Sequence, residues 1–452
     1  MKQTILVTGG TGFIGSHTTV ELQQAGYDVV IVDNLSNSKI EVLDGIEKIT
    51  GIRPAFEQVD LRDYDATEAV FKKYPQICGI IHFAASKAVG ESVQLPLVYY
   101  RNNVVSLVNL LELMPKYNVK GIIFSSSCTV YGQPKPENLP VTEEAPHQKA
   151  TSPYGNTKEI NEQIITDFIH SGAPIKSIVL RYFNPIGAHP SAEIGELPNG
   201  VPNNLIPFVT QTAMGIRKEL TIFGNDYDTP DGTCIRDYIY VVDLAKAHVC
   251  SMTRVLDKET EPLEFFNVGT GNGYSTKEIV DSFERATGVK LNWKFGPRRE
   301  GDIEKIWGNV DKANKILGWK AEANLDDVLA TAWKWQVKLR EDGIMVNQQG
   351  SPFYRHDALE MQRSHKKIAS TFPISRVYQA HIPTYAAGYW LFGFASKKYH
   401  PIDDVDGKKW KERKLVTQYY TPKLHVGAFY LPAFLERMLE EVEENGKGKE
   451  EC

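Results

Sequence analysis

Cysteine is scarce in this chain. Its 452 residues hold five, at Cys78, Cys128, Cys234, Cys250 and Cys452. No two form a C-x-x-C pair, so neither a zinc site nor a disulfide framework is expected, and no metal is predicted. Scattered single thiols suit a reducing compartment, and the expected location is cytoplasmic. Long apolar runs are also missing: none approaches the ~18 residues of a membrane span. The opening "MKQTILVTGG" runs straight into a glycine-rich turn, so a strand is expected there and not a signal peptide. There is no excess of positive charge. Lys and Arg total 51 against 56 Asp and Glu, a net charge of −5, which gives no electrostatic footprint for nucleic acid. No internal repeat is visible. The only low-complexity stretch is the terminal "EEVEENGKGKEEC", expected to be a frayed helix end and solvated tail.

What is present is an ordinary globular composition, with 42% apolar and 24% charged residues, in a chain long enough for about two or three domains. Short β-branched runs ("TILVT", "DVVIVDN", "GIIHFAA", "GIIFSSS", "SIVLRYFN") alternate with helical periodicity such as that from Tyr99 to Leu113. Near-continuous apolar strands of this kind suit a parallel sheet buried on both faces. The fold class is therefore α/β, a doubly wound parallel sheet of Rossmann type. From about Pro185 the text turns loop-rich, in "GAHPSAEIGELPNGVPNN", and then mixes shorter elements up to a helix from Leu325 to about Glu341. A long irregular segment inside a domain is usually functional.

Three motifs carry chemistry. "VTGGTGFIGS" puts Gly9, Gly12 and Gly15 directly after the first strand, where a tight turn and a bare backbone can approach pyrophosphate at a helix N-terminus. By itself this pattern also fits an ordinary strand-to-helix turn. Asp33 ends the second strand roughly 20 residues on, where a carboxylate bonds a ribose 2′-hydroxyl and repels a 2′-phosphate, so NAD is favoured over NADP. Asp60 and Leu61 follow the third strand and suit either the adenine edge or a helix N-cap. "SPYGNTK" then sets Tyr154 and Lys158 one helical turn apart. A free tyrosine, with a pKa of about 10, is a poor base. A lysine beside it, together with a positive nicotinamide, stabilises the phenolate. Ser127 in "SSSCTVYG" ends the preceding strand, where its hydroxyl can share a substrate oxygen.

The glycine loop joined to Y-x-x-x-K resembles the extended short-chain dehydrogenase/reductases. The fuller text, over residues 1 to about 342, resembles the UDP-glucose 4-epimerase family: "HFAASKAVGESV", "YYRNNV", "FSSSCTVYG", "LRYFNPIGAHP", "PNNLIPF", "IFGNDYDTPDGTCIRDYIYVVDLA" and "PRREGD". That resemblance implies NAD contacts from Gly9, Gly12, Phe13, Ile14, Gly15, Asp33, Asn34, Asp60, Leu61, Phe83, Ala84, Ala85, Lys87, Asn102, Tyr154, Lys158 and Phe183. It implies UDP-sugar contacts from Ser127, Tyr154, Asn184, Asn204, Leu205, Phe223, Arg236, Arg299, Asp302 and Ile306. Tyr154, Lys158 and Ser127 would be the catalytic set, and the family pattern further implies a homodimer formed through this part. Two arginines suit a diphosphate; Arg236 could instead pair with Asp237. The implied activity is interconversion of UDP-galactose and UDP-glucose by transient oxidation at C4. Sister dehydratases carry an Asp-Glu pair after the strand-end hydroxyl; here Cys128 and Thr129 stand there, which argues against dehydration. A non-catalytic NAD-binding sensor would not need Tyr154, Lys158 and Ser127. The family often has a tyrosine near the sugar's C2 substituent, four residues after "EGD". Ile306 replaces it here, which favours UDP-glucose and leaves UDP-GlcNAc open.

After the helix the vocabulary changes without a linker. "EDGIMVNQQGSPFY", "FPISRVYQAHIPTYAAGYWLFGFASKK" and "QYYTPKLHVGAFYLPAFLERML" resemble the last strands and C-terminal helix of the spermidine synthases. Gln348 and Tyr385 fall where that family touches its amine substrates, and Ala386-Ala387 replaces its usual Pro-Ser. The glycine loop and acidic loop that such an enzyme needs are absent, so a spermidine synthase activity carried by the tail is expected to be inactive. The expected organisation is a nucleotide-binding domain over 1–185 and a UDP-sugar region over 186–342 that lends some elements to the first. An aminopropyltransferase-like β-rich fragment ending in a helix would follow over 343–452, with the crossover between about 339 and 346.

Overall fold

A computed structural model describes residues 2–148, 150–257, 260–299, 302–338, 343–370, 372–384, 388–412, 417 and 419–447. The seam residues 339–342, Tyr385 and Ala386-Ala387 lie outside the described residues. The chain divides into two compact units, Met1–Gln336 and Val337–Cys452.

The first unit opens with β1 (Thr4–Thr8), α1 (Phe13–Gln24), β2 (Asp28–Asp33), α2 (Val42–Thr50), β3 (Ala55–Gln58), α3 (Tyr64–Lys73) and β4 (Ile77–His82). It continues through α4 (Val89–Gln94), α5 (Pro96–Lys116), β5 (Gly121–Ser125), α6 (Pro153–His170) and β6 (Lys176–Tyr182). Beyond these come β7 (Asn184–Ile186), α7 (Leu205–Ala213), β8 (Leu220–Phe223), β9 (Ile235–Arg236), β10 (Tyr238–Tyr240), α8 (Val241–Val255) and β11 (Leu263–Val268). Three short strands close the set: β12 (Tyr274–Ser275), β13 (Trp293–Gly296) and β14 (Lys305–Ile306).

Seven strands form one parallel sheet in the order β11-β6-β5-β4-β1-β2-β3. Side chains alternate along each strand and feed two cores. Ile5, Val7, Ile31, Ile81 and Ile123 point to one face; Leu6, Val30, Val32, Ile80 and Ile122 point to the other. Burial on both faces is what the β-branched runs demanded. The chain leaves β1 toward β2 and β3, then returns to build β4, β5 and β6 on the other side. A crevice therefore opens at the C-terminal ends of β1 and β4, where such sheets bind ligands.

The second region of this unit is not separate from the sheet. β11 is its edge strand, paired along β6 from Leu263 to Val268, and α8 buries Leu244, Ala247, Met252 and Val255 in the core of Ile5 and Val7. The remaining elements make small sheets, β10-β7, β13-β8 and β12-β9-β14. They surround their own core of Ile206, Leu220, Ile279, Phe283 and Leu329.

The second unit is a three-stranded antiparallel sheet. β15 (Ile344–Gly350) and β16 (Ile374–His381) flank β17 (Tyr389–Ser396). Its core is Met361, Val377, Leu391, Leu435 and Leu439, drawn from this sheet and the helices Arg355–Ala369 and Ala433–Lys447.

Candidate active site

The glycine loop follows β1 at the crevice. Gly9 has φ +70°, and a Cβ there would lie 2.8 Å from the Ala84 nitrogen. On Gly15 a Cβ would run into the Gly9 carbonyl. Only bare backbone fits, which is the cradle a pyrophosphate requires. Gly12 starts α1 without a side-chain cap, so the first amides, including those of Phe13 and Ile14, have no capping oxygen and are available to an anion. Asp33 stands at the end of β2. Its Oδ1 accepts from the Leu35 amide at 2.9 Å and the Ser38 hydroxyl at 3.0 Å, and its Oδ2 from the Thr11 amide at 3.4 Å. The carboxylate is thus held in place at the rim of the loop. Asn34 donates to Asp60 at 3.4 Å.

Asp60 is not the cap of α3; Asp63 is, accepting from the Ala66 amide at 3.0 Å. Asp60 instead takes Arg62 through Nε at 2.9 Å and Nη2 at 2.6 Å, and the Arg62 bond holds its carboxyl down to about 2. Leu61 beside it is buried. After β4, Phe83 and Ala84 are hung on Thr8, by its carbonyl at 3.0 Å and its hydroxyl at 3.4 Å; Ala85 follows them. Phe183 is buried directly after β6.

Lys87 lies in the loop after β4, and Asn102 reaches that loop from α5. Asn102 donates to the Ser86 hydroxyl at 3.0 Å. Lys87 lies 3.6 Å from Glu196, which also accepts from Asn204 at 2.6 Å. The structure adds a residue that the sequence reading passed over. Asn103 is buried; its Oδ1 accepts from the Ser86 amide at 2.7 Å and its Nδ2 donates to Thr157 at 3.0 Å. It ties the loop after β4 to α6. No local signal marked it, since Arg101 and Asn102 stand directly before it.

Ser152 caps α6 by accepting from the Gly155 amide at 3.2 Å, and Pro153 occupies the first turn. Tyr154 and Lys158 follow on one face, both buried. The Lys158 ammonium lies 5.9 Å from the centre of the Tyr154 ring and donates to the Ser125 carbonyl at 2.6 Å. Burial pushes the Tyr154 hydroxyl up, away from the range of a base, while the neighbouring Ser127 hydroxyl pulls the other way. Burial lowers Lys158 to about 8, opposed by Glu162. A charged lysine beside the ring and a cationic nicotinamide are what would bring the phenol back down. Ser127 ends the β5 segment, buried, its Oγ accepting from the Thr129 amide at 3.2 Å. Cys128 is buried and its thiol is pushed up to about 12 by that burial, so it stays neutral and unfit for acid–base work.

The residues expected at the sugar nucleotide come from several loops. β14 pairs with β9 so that Ile306 stands beside Arg236. Arg236 donates to the carbonyls of Ile235 at 2.8 Å and Glu304 at 3.4 Å. Asp237 is occupied elsewhere, accepting from Thr270 and Gly271. Arg299 meets Asp302 at 2.5 Å and lies 5.8 Å from the Phe223 ring at the end of β8. Asn184 starts β7 with its amide on the Asp237 carbonyl. Asn204 precedes α7 and Leu205 is its first residue. Ile306 is 1% exposed and packs with Cys128, Val130, Tyr131 and Phe183. It is therefore an interior residue packed against the turn that follows β5. In the second unit, Gln348 is exposed on β15.

Among family models, that of GDP-mannose 4,6 dehydratase matches residues 6–332 and the spermine/spermidine synthase domain matches residues 334–406. The UDP-glucose 4-epimerase of Bacillus subtilis is 50% identical over 332 residues, 74% of this chain and 96% of that protein. The UDP-glucose 4-epimerase of Dictyostelium discoideum is 50% identical over 332 residues, 74% of this chain and 95% of that protein. The crystal structure of UDP-glucose 4-epimerase from Bifidobacterium longum in complex with NAD+ and UDP is 49% identical, with a TM-score of 0.71 over 74% of this chain and 98% of that one.

Proposed function

Because the chain belongs to the UDP-glucose 4-epimerase family across 74% of its length, we infer that it interconverts UDP-galactose and UDP-glucose with NAD as a bound, regenerated cofactor. The observation that carries this is the buried Tyr154–Lys158 pair beside Ser127 at the C-terminal edge of the sheet. Tyr154 takes the proton of the sugar 4-hydroxyl, and Ser127 shares that oxygen. Lys158 holds positive charge against the ring and so favours the phenolate. NAD supplies the hydride acceptor and donor at C4. Arg236 and Arg299 bind the diphosphate, Asp302 accepts a ribose hydroxyl, and Phe223 offers an aromatic face nearby. Tethered through UDP, the 4-keto sugar turns over in the pocket and receives hydride on its opposite face. Tyr154 then returns the proton. The test is conversion of UDP-galactose to UDP-glucose, run beside a putrescine aminopropyl-transfer assay; turnover in the first and none in the second is expected.

Cys128 and Thr129 occupy the place of the dehydratases' acid–base pair, so the product keeps its 6-hydroxyl. Residues Val93, Leu97, Val98 and Val105 form an exposed apolar stripe on α4 and α5, with Leu97 76% exposed. A stripe of this kind supports a homodimer through the epimerase part. Light scattering of the Leu97→Glu variant checks it: a halved mass is expected, and an unchanged one speaks against this face. No helix among the described residues is long and apolar enough to cross a membrane. Cys78, Cys128, Cys234 and Cys250 are free thiols. Free thiols suit a cytoplasmic location.

A further inference from the structure

Behind the Tyr154–Lys158 pair lies a buried ionic network that the proposed mechanism does not use. Glu162 is one turn beyond Lys158, so Tyr154, Lys158 and Glu162 run along one face of α6. The side chains of Glu162 and Arg181 are each 5% exposed. Arg181 donates to Glu162 through Nε at 3.1 and 3.2 Å and through Nη2 at 2.7 Å. The Ser126 hydroxyl donates to Glu162 at 2.5 Å. Arg181 also donates to the Tyr131 hydroxyl at 3.2 Å and the Glu143 carbonyl at 3.0 Å. One carboxylate thus holds the residue before Ser127, the strand beside it and the charge environment of Lys158.

The titratable groups near Lys158 are few. Tyr154 and Glu162 share its helix. His82 comes from β4, and burial lowers it to about 3, so it is neutral at working pH. Arg181 and Tyr182 come from β6, Tyr99 from α5, and Cys128 from the turn after β5. Burial pushes Tyr99, Tyr182 and Cys128 up, and they stay neutral. Glu162 and Arg181 are the charges that remain, and Glu162 is the one aligned with Lys158.

We propose that Glu162, fixed by Arg181 and Ser126, is a positioning residue: one helical turn from Lys158 on the same buried face, its carboxylate favours the charge of the lysine, whose ammonium the Ser125 carbonyl holds, and its bond to Ser126 sets the strand end that presents Ser127. The proposal rests on the epimerase reading above. In the full chain with NAD, Glu162→Gln removes the negative charge, so Lys158 loses its proton at lower pH. The alkaline limb of the kcat–pH profile should move down by about one unit. Glu162→Asp, which keeps the charge, should restore the limb toward wild type. Should Glu162→Gln fold poorly with Arg181 left unpaired, the double variant Glu162→Gln/Arg181→Met removes both members of the pair. Its limb should move in the same direction by a smaller amount. Lowered kcat with an unmoved limb in whichever variant folds would overturn the positioning role and leave a merely structural one. No turnover by the wild-type chain would instead overturn the epimerase reading, and this role with it.

Discussion

In the first compact unit the buried Arg181 guanidinium meets Glu162, Tyr131 and a backbone carbonyl. In the second, the buried Gln349 amide has no hydrogen-bonding partner at either end among the described residues, and the Ser351 and Ser375 hydroxyls and Asn347 Oδ1 are in the same position. The first unit has orphans too: His17 Nε2, Thr18 Oγ1, Thr129 Oγ1, Asn161 Oδ1, Ser177 Oγ, His248 Nε2 and Asn314 Oδ1. The other ring nitrogen of each histidine is bonded to a helix carbonyl, at 2.7 Å for His17 and 2.8 Å for His248. The orphans of the first unit are scattered from α1 to Asn314, whereas those of the second lie on or beside β15 and β16. The cores differ in the same sense. Those of the first unit fill both faces of a seven-stranded sheet, whereas that of the second gathers Met361, Val377, Leu391, Leu435 and Leu439 around three strands. Buried polar groups in a complete domain find partners. A segment that brings buried amides and hydroxyls without partners reads as part of a larger sheet. The orphans of the first unit are dispersed, whereas those of the second gather on one small sheet, as in a piece of a larger one.

Several changes would break or sharpen this contrast. The largest effect is expected from Arg181→Met, which strands the Glu162 carboxylate in the interior and should cost about 3 kcal/mol in thermal or urea unfolding of the first unit. A change well under about 1 kcal/mol would mean that the network is not holding that unit together. Tyr154→Phe should lower kcat at least ~10²-fold while NAD stays bound. Turnover near wild type would remove Tyr154 from the proton path. In the second unit the opposite sign is expected: Gln349→Met, which deletes an unsatisfied amide, should be neutral or raise stability by up to about 1 kcal/mol. A loss of that size would show that Gln349 has a partner in solution. Ile306→Tyr should lower any activity on UDP-GlcNAc more than activity on UDP-glucose, as compared kinetics would reveal. Equal effects on the two substrates would mean that this buried side chain does not sense C2.

The sheet was legible because its signals are local: β-branched runs, a glycine loop and a tyrosine–lysine pair within one helix. The glycine loop and the tyrosine–lysine pair were visible as spacings, and the family resemblance supplied their expected roles. Asn103, Glu162 and Arg181 were not legible, because each acts through partners brought close only by the fold. Asn103 meets Thr157 across 54 positions, and Arg181 meets Glu162 across 19. The two-residue pairing of β9 with β14, which sets Ile306 beside Arg236, is too short to leave a periodic pattern. That Ile306 is buried beside Cys128 and Phe183 was hidden too, because sequence position shows its adjacency to Asp302 but not which way its side chain points. The change of vocabulary after the helix was visible, but the absence of partners for Gln349 and Ser375 was not.

The central claim is that catalysis resides wholly in the first unit. The direct measurement is UDP-galactose turnover by a chain ending at Glu341, compared with the full-length protein under the same NAD supply, with light scattering on both. The expected result is a kcat within a few-fold of full length and less association. Loss of turnover by a truncated chain whose circular dichroism shows an intact fold would contradict the claim and place part of the site in the second unit.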